Sequence, residues 1–96
     1  EDAPVRHFAD LERRVLREGK FPGYRRIRLE PLRYLGRDAA DWEFTYRLSS
    51  GTAHVLNRGV RTRDGRPYAI YWQTRDAAWR QDQDLLRVFL DTFRPG

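Results

Sequence analysis

DWEFTYRL, residues 41–48, alternates large apolar side chains with polar ones more regularly than any other stretch of the chain. Successive side chains of a β-strand point to opposite faces of its sheet, so this period of two predicts a strand with one buried face. The buried face would carry Trp42, Phe44, Tyr46 and Leu48. We therefore expect a sheet that is covered on at least one side.

Weaker patterns on either side place the other elements. Apolar residues from Val5 to Leu16 recur at helical spacing, which predicts a helix over residues 4–18 that stops at Gly19. Further strands are expected at residues 24–29, ending near Pro31, and at residues 53–62 and 68–73, with turns at 49–52 and 63–66. A last helix, capped by Thr74 or Asp76 and carrying Trp79, Leu86 and Phe89, would close the chain. The predicted fold class is α+β: an antiparallel meander of about four strands between an N-terminal and a C-terminal helix.

The predicted turns also set the strand register. A four-residue turn after Leu48 would place Trp42 opposite Gly59. A two-residue turn at 64–65 would place Ile70 opposite the same glycine. Large residues would then flank a small one across three strands.

The same register predicts a buried amide. Asn57 would lie between Phe44 and Trp72 on an apolar face, where an amide without a hydrogen-bond partner costs roughly 1–3 kcal/mol. Two interpretations follow: the amide anchors a loop or a helix end, or it belongs to a small ligand pocket. The residues of that predicted pocket are Trp42, Asn57, Trp72, Gln73 and Trp79.

Composition limits the functions that this chain can have. With 96 residues and no cysteine, it is expected to form a single domain over residues 1–96, without disulfides or thiolate chemistry. No apolar run approaches the roughly 18–20 residues that cross a bilayer. Because the chain also lacks methionine, Glu1 is not a translation start, and we expect a piece of a larger protein.

A net charge of +5 raises the question of an anionic partner. The best candidate for an anion patch is the arginine-rich segment with Arg25, Arg26, Arg28, Arg33 and Arg37, where Arg26 and Arg28 would share one strand face. Acidic residues are interspersed with arginines along the whole chain, and no nucleic-acid-binding motif accompanies them. A solvated mixed surface is therefore favoured, and a nucleic-acid-binding domain is kept as an alternative.

The titratable residues give little support to catalysis. His7 and His54 lack the spacing of metal ligands, so no metal or cofactor is expected. His54 is predicted to be solvated opposite Arg47, and Glu43 to form an ion pair with Arg58 across the strands. A small α+β enzyme, the second alternative, would depend on Asp41 and His54 as its acid and base.

Four phrases of the sequence resemble a known family. ADWEFTY (40–46), HVLNRGVRT (54–62), GRPYAIYWQT (65–74) and LDTFRPG (90–96) are similar to the C-terminal extracytoplasmic domains of receptor-type serine/threonine protein kinases from GC-rich Gram-positive bacteria. The resemblance implies a PsbP-like α/β/α fold whose usual opening strand pair is absent here. It also implies a non-catalytic sensor or interaction domain that meets the membrane only through its parent protein. No kinase motif is present in this chain.

The partner that this resemblance implies is a small ligand or a protein. Residues 68–72 form an uncharged segment in a strand expected near the edge of the sheet, and open edges pair readily with further strands. Self-association through a sheet edge is the second expectation.

Overall fold

The computed structural model describes residues 3–61 and 65–93. In chain order it contains α1 (Ala3–Arg17), β1 (Arg25–Tyr34), β2 (Arg37–Leu48), β3 (Gly51–Arg61), β4 (Pro67–Arg75), a single 3-10 turn (Asp76–Ala78) and α2 (Gln83–Thr92). The strands form one antiparallel sheet in the order β1-β2-β3-β4. The predicted α+β class and the order of one helix, four strands and one helix are confirmed.

Each face of the sheet carries its own apolar cluster. On the first face Phe8 of α1 packs with Ala40, Trp42, Phe44 and Val55. On the second face, Leu86 and Leu90 of α2 pack with sheet residues Tyr34, Ala39, Leu56, Val60 and Ile70. The two helices therefore cover opposite sides of the meander.

The predicted pairing of β2 with β3 is wrong by two residues. Leu48 pairs with Gly51, so only Ser49 and Ser50 form the turn, and Trp42 lies opposite Asn57. Gly51 has a φ of 137°, a backbone conformation that glycine adopts at little cost, which allows this tighter connection. A shift of two residues preserves the face of every side chain.

The predicted pairing of β3 with β4 is wrong by one residue, which has larger consequences. Ala69, rather than Ile70, lies opposite Gly59. A one-residue shift moves every side chain of a strand to the other face. Ile70 and Trp72 therefore face α2 instead of α1. Part of the predicted turn at 63–66 lies outside the described residues.

Strand β1 departs from its prediction in two ways. It continues through Pro31 to Tyr34, because an edge strand needs no amide hydrogen on its open side. A bulge between Arg26 and Arg28 also shifts the register, so that Arg26 lies opposite Phe44 and Arg28 opposite the next residue, Glu43. The two arginines lie on opposite faces, contrary to the prediction.

The chain after β4 also differs from the predicted helix. Neither Thr74 nor Asp76 caps α2, which begins at Gln83, and Trp79 lies between the 3-10 turn and α2. The Thr74 hydroxyl instead donates a hydrogen bond to the Asp82 carboxylate at 2.9 Å.

A row of small residues lets α1 approach the sheet. Ala40, Gly59 and Ala69 lie side by side across β2, β3 and β4. A Cβ atom on Gly59 would lie 2.7 Å from Cζ of Phe8, closer than two carbon atoms can pack. Phe8 itself is 2% exposed. Because residue 59 has no side chain, Phe8 can pack directly on the sheet, and this contact fixes the position of α1.

We predict that Gly59→Ala destabilises the domain by about 1–3 kcal/mol, because the added methyl group overpacks against Phe8. Urea unfolding at equilibrium measures the change. In a Phe8→Leu background the same substitution should cost less, because the two positions are in contact. Equal costs in both backgrounds would contradict this packing.

Candidate functional site

The five residues of the predicted pocket do not come together. Trp42 and Asn57 lie opposite each other on the face covered by α1, and Gln73 lies opposite Val55 on that same face. Trp72 and Trp79 belong to the cluster beneath α2. The one-residue difference in the β3–β4 register accounts for the position of Trp72.

Asn57 is buried, as predicted, with 8% of its surface exposed. Its Oδ1 atom has no hydrogen-bond partner among the described residues, and neither has the buried Nε1 atom of Trp72 on the other face. The carbonyl oxygen of the amide is therefore not the predicted anchor of a loop or a helix end.

His54 is enclosed rather than solvated. It is 6% exposed, with Nε2 at 2.6 Å from Glu43 Oε2 and Nδ1 at 2.8 Å from Asp76 Oδ1. The indole of Trp79 stacks on the imidazole, with ring centroids 3.6 Å apart and planes 5° from parallel. The sequence prediction fails because both carboxylates and the indole are supplied by other strands and by the segment after β4.

The neighbouring acidic residues pair with arginines. Arg58 donates two hydrogen bonds to Asp41, at 2.7 and 2.9 Å, and its guanidinium lies 4.7 Å from the centre of the Tyr34 ring. Glu43 binds Arg28 at 2.7 Å, so the predicted ion pair of Glu43 with Arg58 is wrong. Asp41 and His54, the acid and base of the enzyme alternative, each bind other partners. These ion pairs and hydrogen bonds form a network that connects the strands of the sheet.

We predict that Asp41→Ala destabilises the domain by about 3–5 kcal/mol, because it leaves the largely buried Arg58 guanidinium without its carboxylate. Thermal and urea unfolding measure the loss. Asp10→Ala, which removes an exposed ion pair with Arg13, is the matched control and should change stability little. An Asp41 variant as stable as the control would contradict the importance of this pair.

The predicted anion patch is largely neutralised. Arg26 binds Glu12, Arg28 binds Glu43, and Arg33 binds Asp38. The remaining members lie apart: Arg25 lines a pocket near the β2–β3 turn, and Arg37 begins β2. The five arginines therefore do not form one continuous surface for a polyanion.

A second buried network fastens α1 to the sheet. Glu12, 7% exposed, accepts hydrogen bonds from Arg26 Nε at 2.9 Å and from the Tyr24 hydroxyl, which in turn accepts one from Trp42 Nε1 at 2.8 Å. The hydrogen bond from Arg26 lowers the pKa of Glu12 below its ordinary value, against the opposing effect of burial. Burial, together with the Glu12 carboxylate, raises the pKa of Tyr24 to about 12.

This network predicts acid sensitivity. A carboxylate whose pKa is lowered in the folded state adds stability above its unfolded pKa of about 4.5 and loses it as the pH falls through the folded value. Glu12→Gln should therefore be less stable than the wild type at neutral pH, and this difference in the free energy of unfolding should narrow as the pH falls below the unfolded pKa of about 4.5. Urea unfolding across this range measures the difference. The exposed pair of Glu18 with Lys20 offers Glu18→Gln as control. A difference that stays constant with pH would contradict the role of Glu12.

A groove that sequence reasoning missed lies between the start of α1 and the β3–β4 hairpin. Its volume is about 300 Å³, and its mostly apolar lining includes Pro4, Phe8, Gly59, Pro67, Tyr68 and Ala69. His7 and Arg61 add polar atoms. Ala69 is exposed at the β4 end of the row of small residues. Its small side chain leaves the space beside Phe8 open. In the sequence, the small residues at positions 59 and 69 indicate such a groove, but the predicted register did not place them opposite each other.

Within residues 3–61 and 65–93, no group of three or more histidine or acidic side chains is placed to hold a metal ion. No helix of this part of the chain is long and apolar enough to cross a membrane.

A family model described as the serine/threonine kinase C-terminal domain matches residues 1–95. The chain belongs to this family. The comparison with curated proteins found no match. Among solved structures, the kinase C-terminal domain is similar to the protein of unknown function PA94 from Pseudomonas aeruginosa, with a TM-score of 0.72 and 18% sequence identity. The alignment covers 99% of this chain and 65% of PA94, so the domain spans about two thirds of that protein. At this identity the likeness concerns the fold alone.

Proposed function

We propose that this kinase C-terminal domain is a non-catalytic ligand-binding module on the extracytoplasmic side of its parent kinase, and that the groove beside α1 is its binding site. The single observation that carries the proposal is the open apolar groove at Phe8, Gly59 and Ala69. Apolar concave surfaces with a few polar groups are the usual form of small-molecule sites.

The titratable groups support a non-catalytic role. His54 lies between Glu43 and Asp76 beneath an indole, and Asp41 is 1% exposed beside Arg58. A general acid or base must reach a proton on its substrate. The groove lining contains none of the titratable side chains of His54, Glu43, Asp76 and Asp41.

The lining of the groove indicates the chemistry of its ligand. Phe8, Pro4 and Ala69 offer an apolar surface, while Arg61 supplies a permanent positive charge. A small amphipathic anion, with an apolar ring system and a carboxylate or sulfonate group, matches both features. The extracytoplasmic placement is supported by the resemblance of residues 40–46, 54–62 and 65–74 to outer domains of receptor-type kinases.

The nucleic-acid alternative has weaker support. Three of the five arginines in the proposed anion patch bind carboxylates of the domain itself. Phosphate binding would have to break these ion pairs. A small ligand in the groove would need no such rearrangement.

Anilinonaphthalene sulfonate, a fluorescent amphipathic anion, tests the proposal as a probe. We expect saturable fluorescence enhancement with the wild type, and binding weaker by about tenfold or more in Ala69→Trp, whose indole would fill the groove. Ser49→Trp, at the exposed β2–β3 turn, is the matched control and should bind as the wild type does. Circular dichroism checks that both variants fold.

Arg61→Gln separates the charged part of the interaction from the apolar part. It should weaken binding of the sulfonate and reduce the salt dependence of the affinity. Probe binding that is unchanged in folded Ala69→Trp would overturn the groove as the site. Absence of saturable binding to the wild type would overturn the proposed ligand class.

A further inference from the structure

The two edges of the sheet are built differently. The β1 edge carries Pro31, a bulge after Arg26 and five charged residues within Arg25–Arg33, which are the features that protect natural edges from pairing. In β4, Pro67 stands at the first position and Arg75 at the last, with no charged residue between them. No strand pairs with the outer side of β4 among the described residues. Of the two edges, β4 is the unprotected one.

Helix α2 carries an exposed apolar stripe in addition to its buried face. Leu85, Val88 and Phe89 have the i, i+3, i+4 spacing of one helix face, and they are 61%, 58% and 41% exposed. The buried residues, Leu86 and Leu90, lie on a different face. An exposed stripe of large apolar side chains on a small domain commonly marks an interaction surface.

The stripe and the open edge are continuous. The ring of Phe89 packs against Trp72 of β4, with centroids 5.8 Å apart. This contact places the stripe on the β4 side of α2. Tyr68, 36% exposed, extends the apolar surface on this face of β4, and Tyr71, 50% exposed, lies on the other face of the same strand. We call Pro67–Arg75 together with the stripe the β4 surface.

We propose that the β4 surface binds a second copy of this chain, with two β4 strands paired antiparallel about a two-fold axis perpendicular to the sheet. This symmetry places both α2 helices on the same side of a continuous eight-stranded sheet. Their apolar stripes then face each other across the junction. Open backbone groups and exposed apolar side chains are covered in one association.

The charges of the chain fit this occupant. Two copies of a domain with net charge +5 associate best where the contact region itself carries no charge, as between Pro67 and Arg75. The antiparallel arrangement places the two Arg75 side chains at opposite ends of the junction.

Sedimentation equilibrium of the 96-residue chain from micromolar to millimolar concentration tests the association. We expect a reversible dimer whose Kd increases by about tenfold or more in Tyr71→Lys, which adds a charge to the edge, and in Leu85→Lys, which adds one to the stripe. Ser49→Lys adds the same charge at a distant turn and should leave the Kd nearly unchanged. Circular dichroism establishes that each variant is folded.

Cysteine cross-linking tests the geometry, because the chain has no native cysteine. Val88→Cys should form disulfide-linked dimers under mild oxidation much faster than Ser49→Cys, whose thiol would also be exposed but far from the junction. A chain that stays monomeric throughout would overturn the proposal. A dimer that withstands Tyr71→Lys or Leu85→Lys, or equal cross-linking rates of the two cysteine variants, would overturn it as well.

Discussion

The contact of Phe8 with Gly59 is the constraint on which the arrangement of the domain depends. Because residue 59 has no side chain, α1 can lie close to β3, and Phe8 reaches the cluster around Trp42. Glu12, one turn further along the helix, then meets Arg26. With α1 held over the first three strands, the Ala69 end of β4 stays uncovered on this face. The groove follows from that placement.

The opposite face is divided between an apolar half and a charged half. Leu86 and Leu90 of α2 cover the apolar half. The charged half carries Asp41 and His54, whose burial is costly unless every charge and hydrogen-bonding group is paired. Arg58 and the two carboxylates around His54 provide the partners. This pairing stabilises the domain, and each of these groups has its partners within the domain itself.

Local patterns in the sequence predicted the elements and their order, but not their pairing. The alternation in residues 41–48 and the helical spacing in residues 5–16 involve only residues that are close in the sequence. Such patterns can be recognised in a single sequence. Register depends on turn lengths that differ by one or two residues, and a one-residue difference carried Trp72 to the other face. The predicted burial of Asn57 was correct, because a two-residue shift in the β2–β3 register keeps each side chain on the same face of the sheet. The groove was not predictable, since it forms only when α1 rests on two distant strands.

Amide hydrogen exchange, followed by NMR at low and high protein concentration, tests most directly the proposal that two copies of this kinase C-terminal domain pair through β4. Outward amides of residues 68–75 are expected to exchange quickly in dilute solution, since no strand covers them there, and to become protected as concentration rises. Amides of Arg25–Tyr34, on the charged edge, should exchange at the same rates throughout. Protection that rises with concentration in β1, or β4 amides whose rates never change, would contradict the account.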